Sequence, residues 1–226
     1  MADAQFVTQA TDQHVIATHK VLRNTYMLLS MTLLFSAAMA AVAIAVDAPH
    51  MGFIPLLLAF GLLFGIYKLQ NSVWGIALVF AFTGILGFSL GPFVGYALST
   101  PAGGTTVFTA LSLTGMIFLS LSGYTLMTKK DFSFMSGFLM TGLWVVFGCM
   151  ILMLVGGLFG LHITGLSLAL SAAIVLLMSG FILYDTSRIL HGGETNYVLA
   201  TVSLYLNIYN LFSALLHLLL AFGGDD

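Results

Sequence analysis

The sequence predicts an all-α integral membrane protein of seven transmembrane helices, with the last helix central, the N-terminus cytoplasmic and the C-terminus outside. Three observations carry this expectation: the poverty of charge, the length of the uncharged stretches, and the side on which the few cations fall. Of 226 residues, 60% are hydrophobic and 6% are Asp, Glu, Lys or Arg. Soluble domains carry about 25% charged residues, so this chain lacks the charge to cover a water-facing surface. No charged residue occurs from Asn24 to Val46, Ala48 to Tyr67, Leu69 to Thr128 or Phe132 to Tyr184. A helix crosses the hydrocarbon in about 20 apolar residues, so the last two stretches each hold two crossings.

Turn and loop residues divide these stretches. The first helix, at about 22–46, ends at Asp47-Ala48-Pro49-His50, and the second, at about 52–69, at Gln70-Asn71-Ser72. The third runs over about 73–98, where Pro92 bends it, and stops at Ser99-Thr100-Pro101-Ala102-Gly103-Gly104. In a membrane, neighbouring helices can satisfy the carbonyl that a proline frees. The fourth, at about 105–127, closes before Lys129-Lys130-Asp131, and the fifth, at about 132–157, at the run from Gly156-Gly157 to His162. His191-Gly192-Gly193-Glu194 separates the sixth, at about 162–190, from the seventh, at about 196–222. Residues 1–19 form a polar tail, expected to be flexible, before a seven-helix domain over residues 20–226. That tail does not read as a cleaved signal, because it is polar and the apolar segment after it is too long.

With seven crossings, Lys20, Arg23, Lys68, Lys129, Lys130 and Arg188 all fall on the N-terminal side, while the other side holds Asp47, Asp225 and Asp226. The positive-inside rule makes the cationic side cytoplasmic. Loops of at most about ten residues leave no extramembrane domain for a conventional active site.

Several functions are disfavoured. The net charge of -2 and the absence of a basic run give no footprint for nucleic acid. The single cysteine, Cys149, rules out an internal disulfide and any multi-cysteine metal site. His50 and His162 fall on the outer side, too far apart for a metal site, and His14, His19 and His191 read as solvated or interfacial. Neither a phosphate-binding loop nor zinc-protease or serine-hydrolase motifs occur, so no enzyme and no bound cofactor are expected. Gly61–Gly65, Gly87–Gly91–Gly95 and Gly156–Gly160 follow the small-xxx-small spacing that lets helices approach closely. Packing within one bundle is the first reading of them, and a dimer interface the second.

The polar residues within the helices are the candidates for function. In the seventh helix Asn196, Ser203, Asn210 and His217 recur every seven residues, with Asn207 on the same face. Tyr197, Thr201, Tyr205 and Tyr209 adjoin them. Unpaired polar groups in hydrocarbon cost several kcal/mol each, so this helix is expected to be shielded from lipid. A hydrogen-bonding seam and a water-filled path both account for the stripe. In the sixth helix Asp185 shares a face with Ser171 and Met178. Intramembrane carboxylates mark ion or proton pathways by default. The alternative is a snorkelling carboxylate paired with Arg188, three residues on.

These helices carry a family resemblance. Tyr184-Asp185-Thr186, His191-Gly192-Gly193-Glu194-Thr195-Asn196-Tyr197, Ala200 to Asn207 and Asn210-Leu211-Phe212 resemble the Bax-inhibitor (TMBIM) family of membrane proteins. Thr18-His19-Lys20-Val21-Leu22-Arg23-Asn24-Thr25-Tyr26 and Lys130-Asp131-Phe132-Ser133-Phe134 are similar to its bacterial YccA-like branch. The resemblance implies seven helices with the last one central, and a place in the bacterial inner membrane. It also implies two functions. One is modulation of FtsH, a membrane-anchored ATP-dependent protease, as a slowly processed substrate that occupies and thereby inhibits it; the polar, weakly charged tail Met1 to His19 is the feature that fits, and an ordinary disordered terminus is the alternative reading of it. The other is a pH-sensitive calcium leak gated by a hydrogen-bonded pair of aspartates, which would make Ca²⁺ or H⁺ a passing ion. Asp185 matches the first aspartate, while the second position holds Asn207, so the pair here is Asp/Asn. An arginine of the channel-forming members falls in Ile66-Tyr67-Lys68-Leu69, where Lys68 stands without a planar guanidinium fork. The candidate polar core is therefore Asp185, Asn207, Asn210, Ser203, Arg188 and Lys68.

Overall fold

The computed structural model describes the backbone of residues 2–160 and 164–223, and the side chains of residues 18–160 and 165–223. His162, Asp225 and Asp226 lie outside the described residues, as do the side chain of His14 and most others of the tail at residues 1–19. Among the described residues regular structure is all helical, which suits a backbone that must bond within itself where water is absent.

The helices are α1 (Ala2–Ala45), α2 (Ile54–Leu69), α3 (Val73–Leu98), α4 (Gly103–Thr128), α5 (Ser136–Leu158), α6 (Thr164–Leu190) and α7 (Tyr197–Phe222). A short 3-10 turn, Ser133–Met135, leads into α5. Most bounds fall within a few residues of the expected ones. The exception is α1, whose helix begins at Ala2 although its apolar span starts at Thr18. Among the described residues six helices are long and apolar enough to cross a membrane. The 16-residue α2 is not one of them. At 1.5 Å per residue it reaches about 24 Å, short of a hydrocarbon core of about 30 Å.

Half of the most apolar window of α7 is buried, against 33% at most in the other long helices and 11% in α5. Leu204, Tyr205, Leu211 and Leu216 are among its fully enclosed side chains; of its polar stripe Asn207 is buried, while Ser203, Asn210 and His217 are half-buried.

The chain divides into two compact units. The first contains Met1–Phe93 and Ser187–Tyr205. Here α1 and α3 meet at very short range. A Cβ added to Gly87 would fall on the carbonyl of Ser36, and one added to Gly91 would overlap the Cβ of Ala43. These two glycines therefore serve close packing inside the chain, the first of the two readings of their spacing. Edge-on aromatic contacts reinforce the unit, with ring centroids 5.5 Å apart for Phe35–Phe80 and 6.1 Å for Phe82–Tyr205. Polar groups join it as well. The Tyr205 hydroxyl lies 2.7 Å from Ser36 Oγ and donates to the Thr83 carbonyl at 3.2 Å. Thr201 Oγ1 donates to the Thr25 carbonyl at 3.3 Å and to its own helix at Tyr197 O at 2.7 Å.

The second unit contains Val94–Thr186 and Leu206–Asp226. In it α5 packs on α6 through small residues. A Cβ on Gly142 would stand 2.7 Å from Leu177 Cδ1, and one on Gly180 the same distance from Leu139 Cδ2. A hydroxyl pair, Ser122 Oγ and Thr186 Oγ1 at 3.2 Å, ties α4 to α6.

Candidate functional site

The ends of α6 and α7 are set by local chemistry. Gly192 adopts φ +75°, the left-handed conformation that closes many helices at little steric cost to glycine. The turn lets Gly193 N–H reach the Arg188 carbonyl at 2.8 Å. It also brings Glu194 back over the helix end, where Arg188 Nη2 lies 3.4 Å from Glu194 Oε2 and 3.3 Å from the Gly193 carbonyl. The other carboxylate oxygen of Glu194 accepts from the Asn196 N–H at 2.9 Å.

Asn196 then caps α7. Its Oδ1 accepts from the N–H groups of Val198 at 2.9 Å and Leu199 at 3.3 Å, donors that have no partner within the helix. Its Nδ2 donates to Asn71 Oδ1 at 2.8 Å and to the Gln70 carbonyl at 3.3 Å, both in the α2–α3 turn. Asn196 thus lies just ahead of the helix rather than on its polar stripe. The sequence shows it as one more polar residue at heptad spacing, and only the fold reveals a cap and a bridge.

Within the second unit, Asn207 Nδ2 donates to Asp185 Oδ2 at 2.7 Å. Both side chains are buried, at 7% and 6% exposure. This is the Asp/Asn pair expected from the sequence, brought into direct contact. A carboxamide gives a carboxylate an N–H donor, whereas a second carboxylate would share a proton with it and titrate jointly. The pair therefore contains one titratable group.

A second contact ties the same helices. Ser171 Oγ and His217 Nδ1 are 2.8 Å apart. Ser171 precedes Asp185 by fourteen residues, about 21 Å of helix, so the two contacts are well separated. The signal for this one lay in the sequence, which places Ser171 on the face of Asp185 and His217 on the face of Asn207. Their mutual pairing was not legible without the register of α6 on α7.

The remaining candidates have contacts of their own. Asn210 Nδ2 donates to the Leu206 carbonyl of its own helix at 2.8 Å. Ser203 is half-buried. Lys68 stands exposed near the end of α2, its ammonium 4.5 Å from the centre of the Phe64 ring. Arg188 makes an ion pair with Glu194. Among the described residues no three His, Cys, Asp or Glu side chains converge to hold a metal ion.

Comparison with known proteins places this geometry in a family. Residues 18–224 match the family described as inhibitor of apoptosis-promoting Bax1. The chain is 47% identical over 206 residues to a protein of Escherichia coli K12 named modulator of FtsH protease YccA, covering 91% of each chain. It is 44% identical over 231 residues to a Vibrio cholerae protein named only as a membrane protein, covering the whole of both. Its identity to a protein of Pseudomonas aeruginosa is 46% over 207 residues, again 91% of each chain. The match over residues 18–224 and these identities over nine-tenths or more of each chain agree, and the chain belongs to the Bax inhibitor family of multi-pass membrane proteins.

Proposed function

We propose that this protein is a non-enzymatic modulator of an FtsH-type, membrane-anchored ATP-dependent protease in a bacterial inner membrane. The observation that carries the reading is 47% identity, over 91% of both chains, to a relative named as such a modulator. In this reading the chain crosses the bilayer seven times, with Lys and Arg on the cytoplasmic side, α7 central and lipid against the apolar flank of α5. The short α2 spans by local thinning of the bilayer, and its Lys68 reaches toward the headgroups. Residues 1–17 precede the family match and supply a polar segment for the protease to grip. The test is proteolysis of a second membrane substrate by the protease in proteoliposomes, with and without this protein. Slower degradation is expected with the full chain and not with residues 1–19 deleted. Unchanged inhibition by the truncated chain would refute engagement through the tail.

A second reading draws on the buried Asp185–Asn207 contact at 2.7 Å. It makes the pair a proton-responsive gate for a cation leak, with Ca²⁺ as a permeant ion. Calcium flux into liposomes from pH 6 to pH 8, compared between the native chain and Asp185→Asn, decides it. Flux above that of empty liposomes is expected to vanish in the variant, and the absence of flux from folded native protein would dismiss the reading.

A further inference from the structure

In the first unit a cleft of about 360 Å³ opens between the α2–α3 turn and the start of α7. Gln70, Asn71, Thr195 and Tyr197 give it a polar wall, and Val73 and Ile76 an apolar one. The Asn196 carboxamide is fully committed to the fold, capping α7 with its oxygen and bonding Asn71 Oδ1 and the Gln70 carbonyl with its nitrogen. The rest of the lining is not. Among the described residues Asn71 Nδ2, Gln70 Oε1, the Thr195 hydroxyl and the Tyr197 hydroxyl make no hydrogen bond to the protein. The cleft therefore offers donors and acceptors together beside an apolar strip, in a setting that Asn196 holds in place.

The chemistry of the lining selects the occupant. No Lys, Arg, His, Asp or Glu lines the cleft, so nothing there compensates a formal charge. Asn71 Nδ2 supplies a donor and Gln70 Oε1 an acceptor, and together they match the carbonyl and N–H of a peptide unit. Lys68 and Arg188, near the two chain segments that border the cleft, belong to the set of cations that marks the cytoplasmic side.

We propose that this cleft receives an extended, uncharged peptide segment of the partner protease, whose backbone bonds to Asn71, Gln70 and the Thr195 and Tyr197 hydroxyls and whose side chain packs on Val73 and Ile76. The inference rests on the protease-modulator reading and names the surface through which it acts. Two variants probe it. Thr195→Val with Tyr197→Phe removes two hydroxyls that bond to nothing in the fold, and Thr195→Arg puts bulk and charge at the exposed rim of the cleft.

The experiment measures the concentration of full-length protein that halves the degradation of a second membrane substrate in proteoliposomes of neutral lipid. Thr195→Arg is expected to raise that concentration at least about tenfold and the double variant about threefold, with thermal stability unchanged. That range corresponds to the loss of one or two modest hydrogen bonds or to a blocked contact. Inhibition by the native chain with no change in either variant would overturn the cleft proposal while leaving the modulator reading intact. No inhibition by the native chain would remove both. A phospholipid retained by the purified native protein in native mass spectrometry and lost in Thr195→Arg would assign the cleft to a lipid headgroup, and that too would overturn the proposal.

Discussion

Replacing Asn207 with leucine takes one hydrogen-bond donor away from a carboxylate that stays buried. The native contact, Asn207 Nδ2 to Asp185 Oδ2, measures 2.7 Å and lies in a 7%-exposed site. A hydrogen bond to a charged group contributes about 1.5–3 kcal/mol, whereas neutral interhelical bonds in membranes average about 0.6 kcal/mol. A double-mutant cycle separates these cases. With Asp185→Leu, Asn207→Leu and the double variant, the coupling energy should be about 1.5–3 kcal/mol if Asp185 is ionised. Repeating the cycle from Asp185→Asn, which keeps an acceptor oxygen and drops the charge, should bring it to about 0.6 kcal/mol. The assay is reversible unfolding in mixed micelles at pH 8, followed by circular dichroism. Coupling below about 0.5 kcal/mol in the native background would refute the argument, because the contact would then contribute nothing beyond what each helix does alone.

Three further outcomes follow from other contacts. Asn196→Ala should cost about 1.5–2 kcal/mol, roughly 1 for the lost cap and the rest for the bond to Asn71; hydrogen exchange should quicken at the amides of Val198 and Leu199, and unchanged protection there would dismiss the capping role. Gly91→Leu should destabilise by at least about 1–3 kcal/mol, because its side chain meets Ala43 across the α1–α3 contact. Gly61→Leu should stay within about 0.5 kcal/mol, since a Cβ there meets nothing within 4 Å, and equal costs in micelle unfolding would contradict the assignment of the two glycines. Tyr205→Phe should lose about 0.5–1.5 kcal/mol with the bonds to Ser36 and Thr83, and adding Ser36→Ala to it should cost less than that change does alone.

Sequence alone determined the class of the protein and most of its elements. Charge-free stretches and turn residues act locally, and a membrane leaves the backbone little choice but helix. Hence the bounds of α3, α4 and α7 came within two residues of expectation. Asp185 and Asn207 could also be picked out as candidates, since a polar group in an apolar helix stands out by composition. Tertiary structure decided the partners. Asn207 faces Asp185, His217 faces Ser171, and Asn196 reaches a turn more than a hundred residues earlier, because each pairing depends on the register of one helix against another element. The heptad stripe on α7 was divided in the same way among a cap, two interhelical contacts and a bond to the helix's own carbonyl. Spacing places residues on a face of one helix, and only packing decides what that face meets.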